Sequence, residues 1–156
     1  MIDLFQVTWT KPTPLTTALT QAESQESGIY AMLKKVGENF NLFYIGKSAD
    51  FYKRSGTHRN NISHMMTEAE IKKCYIAFGL ITTFEHSQMS HTISPEQLKD
   101  IESFYINYYR PVGNSDSTKK GYKGNTIISF NSGKCFQKHK IISNSENLVK
   151  LLKYYF

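Results

Sequence analysis

The chain has 156 residues, 40% apolar and 21% charged, with a formal net charge of +6. That is the size and balance of one soluble domain, able to bury about 70% of the surface its unfolded form exposes, and no apolar run approaches the roughly 20 residues that span a bilayer. Cys74 and Cys135 stand alone and the five histidines are scattered, which excludes a disulfide framework and a structural zinc site. The start, Met1-Ile2-Asp3-Leu4-Phe5, lacks the basic and long apolar parts of a secretion signal, so the expected location is inside a cell. The basic charge is uneven: residues 1–116 carry 11 Lys and Arg against 12 Asp and Glu, whereas residues 117–156 carry 8 against 1. A basic tail suits a polyanion such as nucleic acid, and equally a solvated face with no partner.

In chain order, Ile2, Leu4, Phe5, Val7 and Trp9 allow a short edge strand, ended by Lys11-Pro12-Thr13-Pro14. Residues 16–27 are rich in Thr, Gln, Ser and Glu and read as a linker or a short surface helix. Gly28 to Lys35 alternates as a strand, Gly37-Glu38-Asn39 supplies turn chemistry, and Leu42 to Gly46 is its antiparallel partner. Asp50 caps a helix expected to reach about Met66, and Cys74 to Phe84 reads as the central strand of a covered sheet. Residues 85–93 read as a polar loop. Ser94, Pro95 and Gln97 form a capping box that starts a helix running to about Tyr109, stopped at Arg110-Pro111. Thr126 to Phe130 and Lys134 to Lys138 suggest a basic hairpin, and Ser143 with Glu146 a second capping box before a final helix bearing Leu148, Leu151, Leu152 and Tyr155.

Chemistry concentrates between Gly28 and His58. Tyr30 and Tyr44 lie on neighbouring strands, Lys47 ends the second, and Arg54 and His58, four apart, share a face of the next helix. At about 100° per residue, Glu102 falls inside the apolar arc of the second helix with Leu98, Ile101, Phe104 and Tyr105, while Glu96, Lys99, Asp100, Ser103 and Asn107 lie opposite. A carboxylate there needs a cation, a metal or a proton, because burying it alone is costly. A structural ion pair with Arg54 meets that demand as well as a metal does.

These residues resemble the GIY-YIG nuclease superfamily. The resemblance rests on Gly28-Ile29-Tyr30, on Tyr44-Ile45-Gly46-Lys47-Ser48, on Arg54 eight residues beyond Gly46 and His58 four further, on Glu102 within Ile-Glu-Ser-Phe-Tyr-Ile, and on Asn114 after Arg-Pro. It covers about residues 27–115. It implies an α+β fold, a small central three-stranded antiparallel sheet flanked by helices, and metal-dependent hydrolysis of phosphodiester bonds in double-stranded DNA. The division expected is an arm (1–27), a catalytic core (28–115) and a basic extension (116–156) packed on the same domain.

The resemblance also implies roles. Glu102 holds one Mg²⁺, with Mn²⁺ as a substitute; a single carboxylate plus waters is ordinary for Mg²⁺. Arg54 forks onto the scissile phosphate. Tyr30 takes the proton of the attacking water, and since a free phenol titrates near 10, lowering it by about 2 units takes roughly 2.7 kcal/mol of preference for phenolate. Lys47 is the source of that preference, and His58 hydrogen-bonds Tyr30 or relays its proton. Tyr44 positions the water or phosphate, and Asn114 fixes the loop after the metal helix.

A compact chain of this kind resembles the type II restriction branch, bacterial or phage-encoded, with phage homing, repair and junction nucleases as alternatives and a non-cleaving nucleic-acid-binding module as the rival from another class. DNA contacts are expected from Lys47, Arg54, Arg59, Lys119, Lys120, Lys123, Lys134, Lys138 and Lys140, and a homodimer on DNA is the expected assembly if both strands are cut.

Overall fold

The computed structural model describes residues 1–18, 27–48, 67–85, 88–90, 92–133, 135–136 and 139–155. The expected helix from Asp50 to Met66, with Arg54, His58 and Arg59, lies outside the described residues, as do Lys134 and Lys138.

The elements are β1 (Ile2–Trp9), β2 (Thr13–Pro14), β3 (Gly28–Val36), β4 (Asn39–Ser48), α1 (Glu68–Ile71), β5 (Cys74–Glu85), β6 (Gln88–Ser90), α2 (Pro95–Tyr109), a 3-10 turn (Val112–Asn114), α3 (Ser115–Lys120), β7 (Thr126–Ser132), β8 (Ile141–Ser143) and α4 (Glu146–Tyr155). The sheet runs in the order β4-β3-β5-β1-β7-β8, with β2 and β6 pairing β5. It is mixed: β1 and β7 are parallel and the other pairs antiparallel.

This corrects the expectation of a small three-stranded sheet. The antiparallel trio β4-β3-β5 is present, but β1, expected at an edge, lies inside the sheet, paired with β5 on one side and β7 on the other. Alternating Phe5, Val7 and Trp9 show which face of β1 is buried and carry no information about neighbours along the hydrogen-bonding direction. The polar stretch after Phe84 also differs from expectation, since Gln88–Ser90 folds back on β5.

The β3–β4 hairpin turns through Gly37 and Glu38, where Gly37 at φ 61 takes a conformation that glycine adopts freely. Its register pairs Tyr30 with Gly46 and Ile29 with Lys47, and shifts between Met32 and Leu33 so that Phe43 is an extra residue. Strand alternation sorts the core into two clusters. Ile29, Ala31 and Leu33 join Phe5, Val7, Trp9 and the buried side of α2. Tyr30 and Met32 join Leu15, Cys74, Ile76 and Phe78 on the other face, with the bulged pair Phe43 and Tyr44 packed against them.

The C-terminal residues are fastened to this core by a buried polar network. Trp9 Nε1 donates to Asn131 Oδ1 at 3.1 Å, the Tyr105 hydroxyl donates to the same oxygen at 2.5 Å, and Ser129 Oγ lies 2.7 Å from that hydroxyl. Strand β1, helix α2 and strand β7 thereby share one satisfied cluster. The expected basic hairpin is displaced: β7 pairs with Ile141–Ser143, so the second arm starts beyond Lys140. Ser143 belongs to β8 and donates to the Ile127 carbonyl at 2.5 Å instead of capping the last helix. On α4, Leu148 and Leu152 are half-buried while Leu151 and Tyr154 are exposed. No helix among the described residues is long and apolar enough to cross a membrane.

Burial sets an alkaline limit on this fold. It pushes the Cys135 thiol from its ordinary 9.0 to about 12. The Tyr122 hydroxyl moves from 10.0 to about 12, by burial first and then by the carboxylates of Asp100 and Asp3. Burial also raises Tyr105 and Tyr109. The folded chain keeps these protons where the unfolded chain releases them, so stability is full below about pH 9 and falls as pH rises toward 12. Urea midpoints should be flat from about pH 7 to 8.5 and then decline, and Cys135→Ala should lessen the earliest part of the decline, which Cys135 shares with the Cys74 thiol that burial also pushes up. A midpoint that holds steady to about pH 11 would contradict this account.

Candidate active site

The candidate site lies along β4, the edge strand of the sheet among the described residues. Helix α2 starts at a capping box in which Ser94 Oγ accepts from the Gln97 N–H and Gln97 Oε1 accepts from the Ser94 N–H. Two turns on, Glu102 is half-buried and lines a cavity of about 610 Å³ between α2, β4, the 3-10 turn and α3. Tyr44, Lys47 and Asn114 line the same cavity.

Asn114 is an anchor. It is 7% exposed, its Oδ1 accepts from the Ile45 N–H at 2.8 Å, and its Nδ2 donates to the Ile45 carbonyl at 2.8 Å. The amide thus bonds the outer edge of β4 as a neighbouring strand would, where no strand among the described residues pairs. Gly113 permits the approach, since a Cβ there would lie 2.5 Å from the Phe43 carbonyl oxygen.

Tyr30 lies behind this wall. It is 1% exposed and faces away from α2, with its ring over Gly46, where a Cβ would come 2.5 Å from Tyr30 Cζ. Its ring centroid is 6.1 Å from that of Tyr44. The glycine of one motif therefore makes the space that the tyrosine of the other fills, and Tyr44 connects Tyr30 to the cavity.

Four of the seven expected catalytic residues, Tyr44, Lys47, Glu102 and Asn114, line one cavity; Tyr30 does not line it and is buried behind it, in ring contact with Tyr44. Residues 26–116 match the GIY-YIG catalytic domain, more than half of the chain. The chain belongs to the GIY-YIG family. No curated protein and no solved structure matches it. A GIY-YIG catalytic domain makes the protein a nuclease of that superfamily.

The GIY-YIG cavity also holds residues assigned elsewhere by the helical angle. Lys99, Ser103 and Asn107, expected on the far side of α2, line it beside Glu102 and Ile106, and Ser117 and Lys120 enter from α3. The spacing 99, 102, 103, 106, 107 is one helical stripe, and centring that stripe on Glu102 would have found it. Three lysines, Lys47, Lys99 and Lys120, thus line the cavity together with Glu102. Of the other expected DNA contacts, Lys119, Lys123 and Lys140 are exposed, and Lys119 makes a 3.9 Å surface pair with Asp116. A smaller cleft, about 310 Å³, lies between β1, β5 and the start of α2 and contains none of the expected site residues.

GIY-YIG nucleases generally use a divalent metal. Among the described residues no three His, Cys, Asp or Glu side chains gather into a metal cage. One half-buried carboxylate lining the cavity fits Mg²⁺, which keeps several waters, better than it fits a cation that needs an all-protein shell.

Proposed function

We propose that this GIY-YIG nuclease is a sequence-specific endonuclease of the type II restriction kind, hydrolysing phosphodiester bonds in double-stranded DNA. The observation that carries the reading is the single cavity at the edge of β4 whose lining holds Glu102 together with three lysines, Lys47, Lys99 and Lys120. Glu102 would hold Mg²⁺, or Mn²⁺ in its place, and the bound ion supplies positive charge against the phosphate as negative charge builds there. Lys47 adds a second cation at the end of the same strand. Tyr44 orients the attacking water, and Tyr30, packed under Gly46, accepts its proton. The water oxygen bonds to phosphorus, the bond to the leaving sugar oxygen breaks, and that oxygen takes up a proton. Arg54 grips the phosphate and His58 serves Tyr30, the roles that the family resemblance gives them.

The restriction reading is supported by what flanks the matched stretch. Strands β1, β7 and β8 extend the catalytic sheet itself, so within this chain DNA reading falls to loops and helices of the catalytic unit. Cutting both strands calls for a two-fold dimer on DNA, and exposed Leu151 and Tyr154 on α4 offer it an apolar face. Plasmid and long natural DNA incubated with Mg²⁺ should give discrete fragments, lost on chelation and restored by Mg²⁺ or Mn²⁺. Nicked circles alone, or a smear, would overturn the restriction reading in favour of a repair, junction or general nuclease.

A further inference from the structure

The turn Val112–Asn114 separates two hollows along the same edge of β4. One is the catalytic cavity. The other, about 590 Å³, is lined by Phe40 and Leu42 of β4, by Tyr108, Arg110 and Val112, and by His139. Among the described residues its lining includes Arg110 and His139 and no Asp or Glu, which suits a polyanion. Tyr108, Arg110, Val112 and His139 are all exposed. Leu42 precedes Lys47 by five positions on one strand, so at about 3.3 Å per residue the hollows are within about 17 Å, or half a turn of DNA.

Arg110 ends α2 in the left-handed conformation, φ 48 and ψ 55, and is the one non-glycine residue with positive φ among the described residues. Glycine takes that helix-ending position freely, whereas a Cβ makes it costly. Any cation would suit the negative end of the helix, but only from within its last turn or just past it. An arginine at a strained position, beside a hollow with no acid among its described lining residues, has a use beyond the cap.

We propose that this hollow is a second DNA-binding site, holding the substrate backbone on one side of the scissile phosphate. Arg110 contacts a phosphate through its charged fork, His139 donates an N–H to the backbone, and Tyr108 and Phe40 pack against sugars and bases. The assignment rests on the nuclease reading above.

Arg110→Gly tests it, because glycine relieves the cap and the variant should melt at or above the wild-type temperature. Binding is measured without divalent metal, on a duplex centred on the mapped cleavage site and on versions shortened from one side and from both, the last lacking the contacted flank for a monomer and for each protomer of a two-fold dimer. The variant should bind the full duplex on the order of tenfold more weakly, with the slope of log K against log salt smaller by about one. The duplex shortened from both sides should bind both proteins equally. Unchanged affinity for the full duplex, or the same loss on all three, would overturn the site while metal-dependent cleavage by the wild type still upheld the nuclease. Wild-type protein that cuts no DNA with Mg²⁺ would remove the nuclease reading and this site with it.

Discussion

Glu102→Gln should lower single-turnover DNA cleavage at least about a thousandfold while leaving the melting temperature and DNA affinity close to wild type. Glutamine keeps the volume and reach of the side chain, so the packing of α2, anchored by Leu98, Ile101, Phe104 and Tyr105, is untouched. What it removes is the negative charge that would hold the metal. In a cavity shared with Lys47, Lys99 and Lys120, losing that charge leaves the wall more positive, so DNA should bind as well or more tightly. A structural role makes the opposite forecast. If Glu102 served only to neutralise a neighbouring cation within the fold, its loss would appear as instability, and cleavage at low temperature would survive. Paired melting, binding and cleavage measurements separate the two, and cleavage within about tenfold of wild type would remove Glu102 from the chemistry.

The parts of the fold that were legible from sequence were those fixed by local signals. Ser94-Pro95 with Gln97 marked the start of α2 correctly because a capping box is satisfied within one turn. The β3–β4 hairpin was legible because Gly37 and Glu38 lie between two apolar runs and the partners are adjacent in sequence. The parallel pairing of β1 with β7 was not, since it depends on closing almost the whole chain and leaves no mark on either strand beyond apolar alternation. Ser143 and Glu146 had a helix-start spacing, but Ile142 and Ser143 are buried against β7, and tertiary pairing outweighed the local cap. At the site, Glu102 stood out as an acid in an apolar arc. Lys99, Ser103 and Asn107 did not, because polar residues on a helix read as solvent-facing until a cavity is found beside them. The Gly46 contact with Tyr30 was equally hidden: two motifs in one hairpin do not reveal that one makes room for the other until the register is known.

Asn114→Ala should cost about 3 kcal/mol and lower the melting temperature by roughly 10 °C. The amide makes two 2.8 Å bonds to one residue of β4, and without them the buried N–H and C=O of Ile45 at the sheet edge have lost their partner. Both ends of the amide are fixed by their partners, since the N–H needs an acceptor and the carbonyl a donor. Asn114→Asp should therefore recover only half of the clamp at neutral pH, where a carboxylate accepts from Ile45 N–H but opposes its carbonyl. It should recover more at acid pH, where the protonated carboxyl donates again. The consequence for activity follows from position: Ile45 lies between Tyr44 and Gly46, and Lys47 is two residues on, so the clamp registers the strand end that carries the site. Measured well below the melting temperature of each variant, kcat should fall in the order wild type, Asp, Ala, with less change in KM. If the alanine variant were destabilised while kcat at low temperature stayed at the wild-type value, Asn114 would hold the fold together without positioning the chemistry.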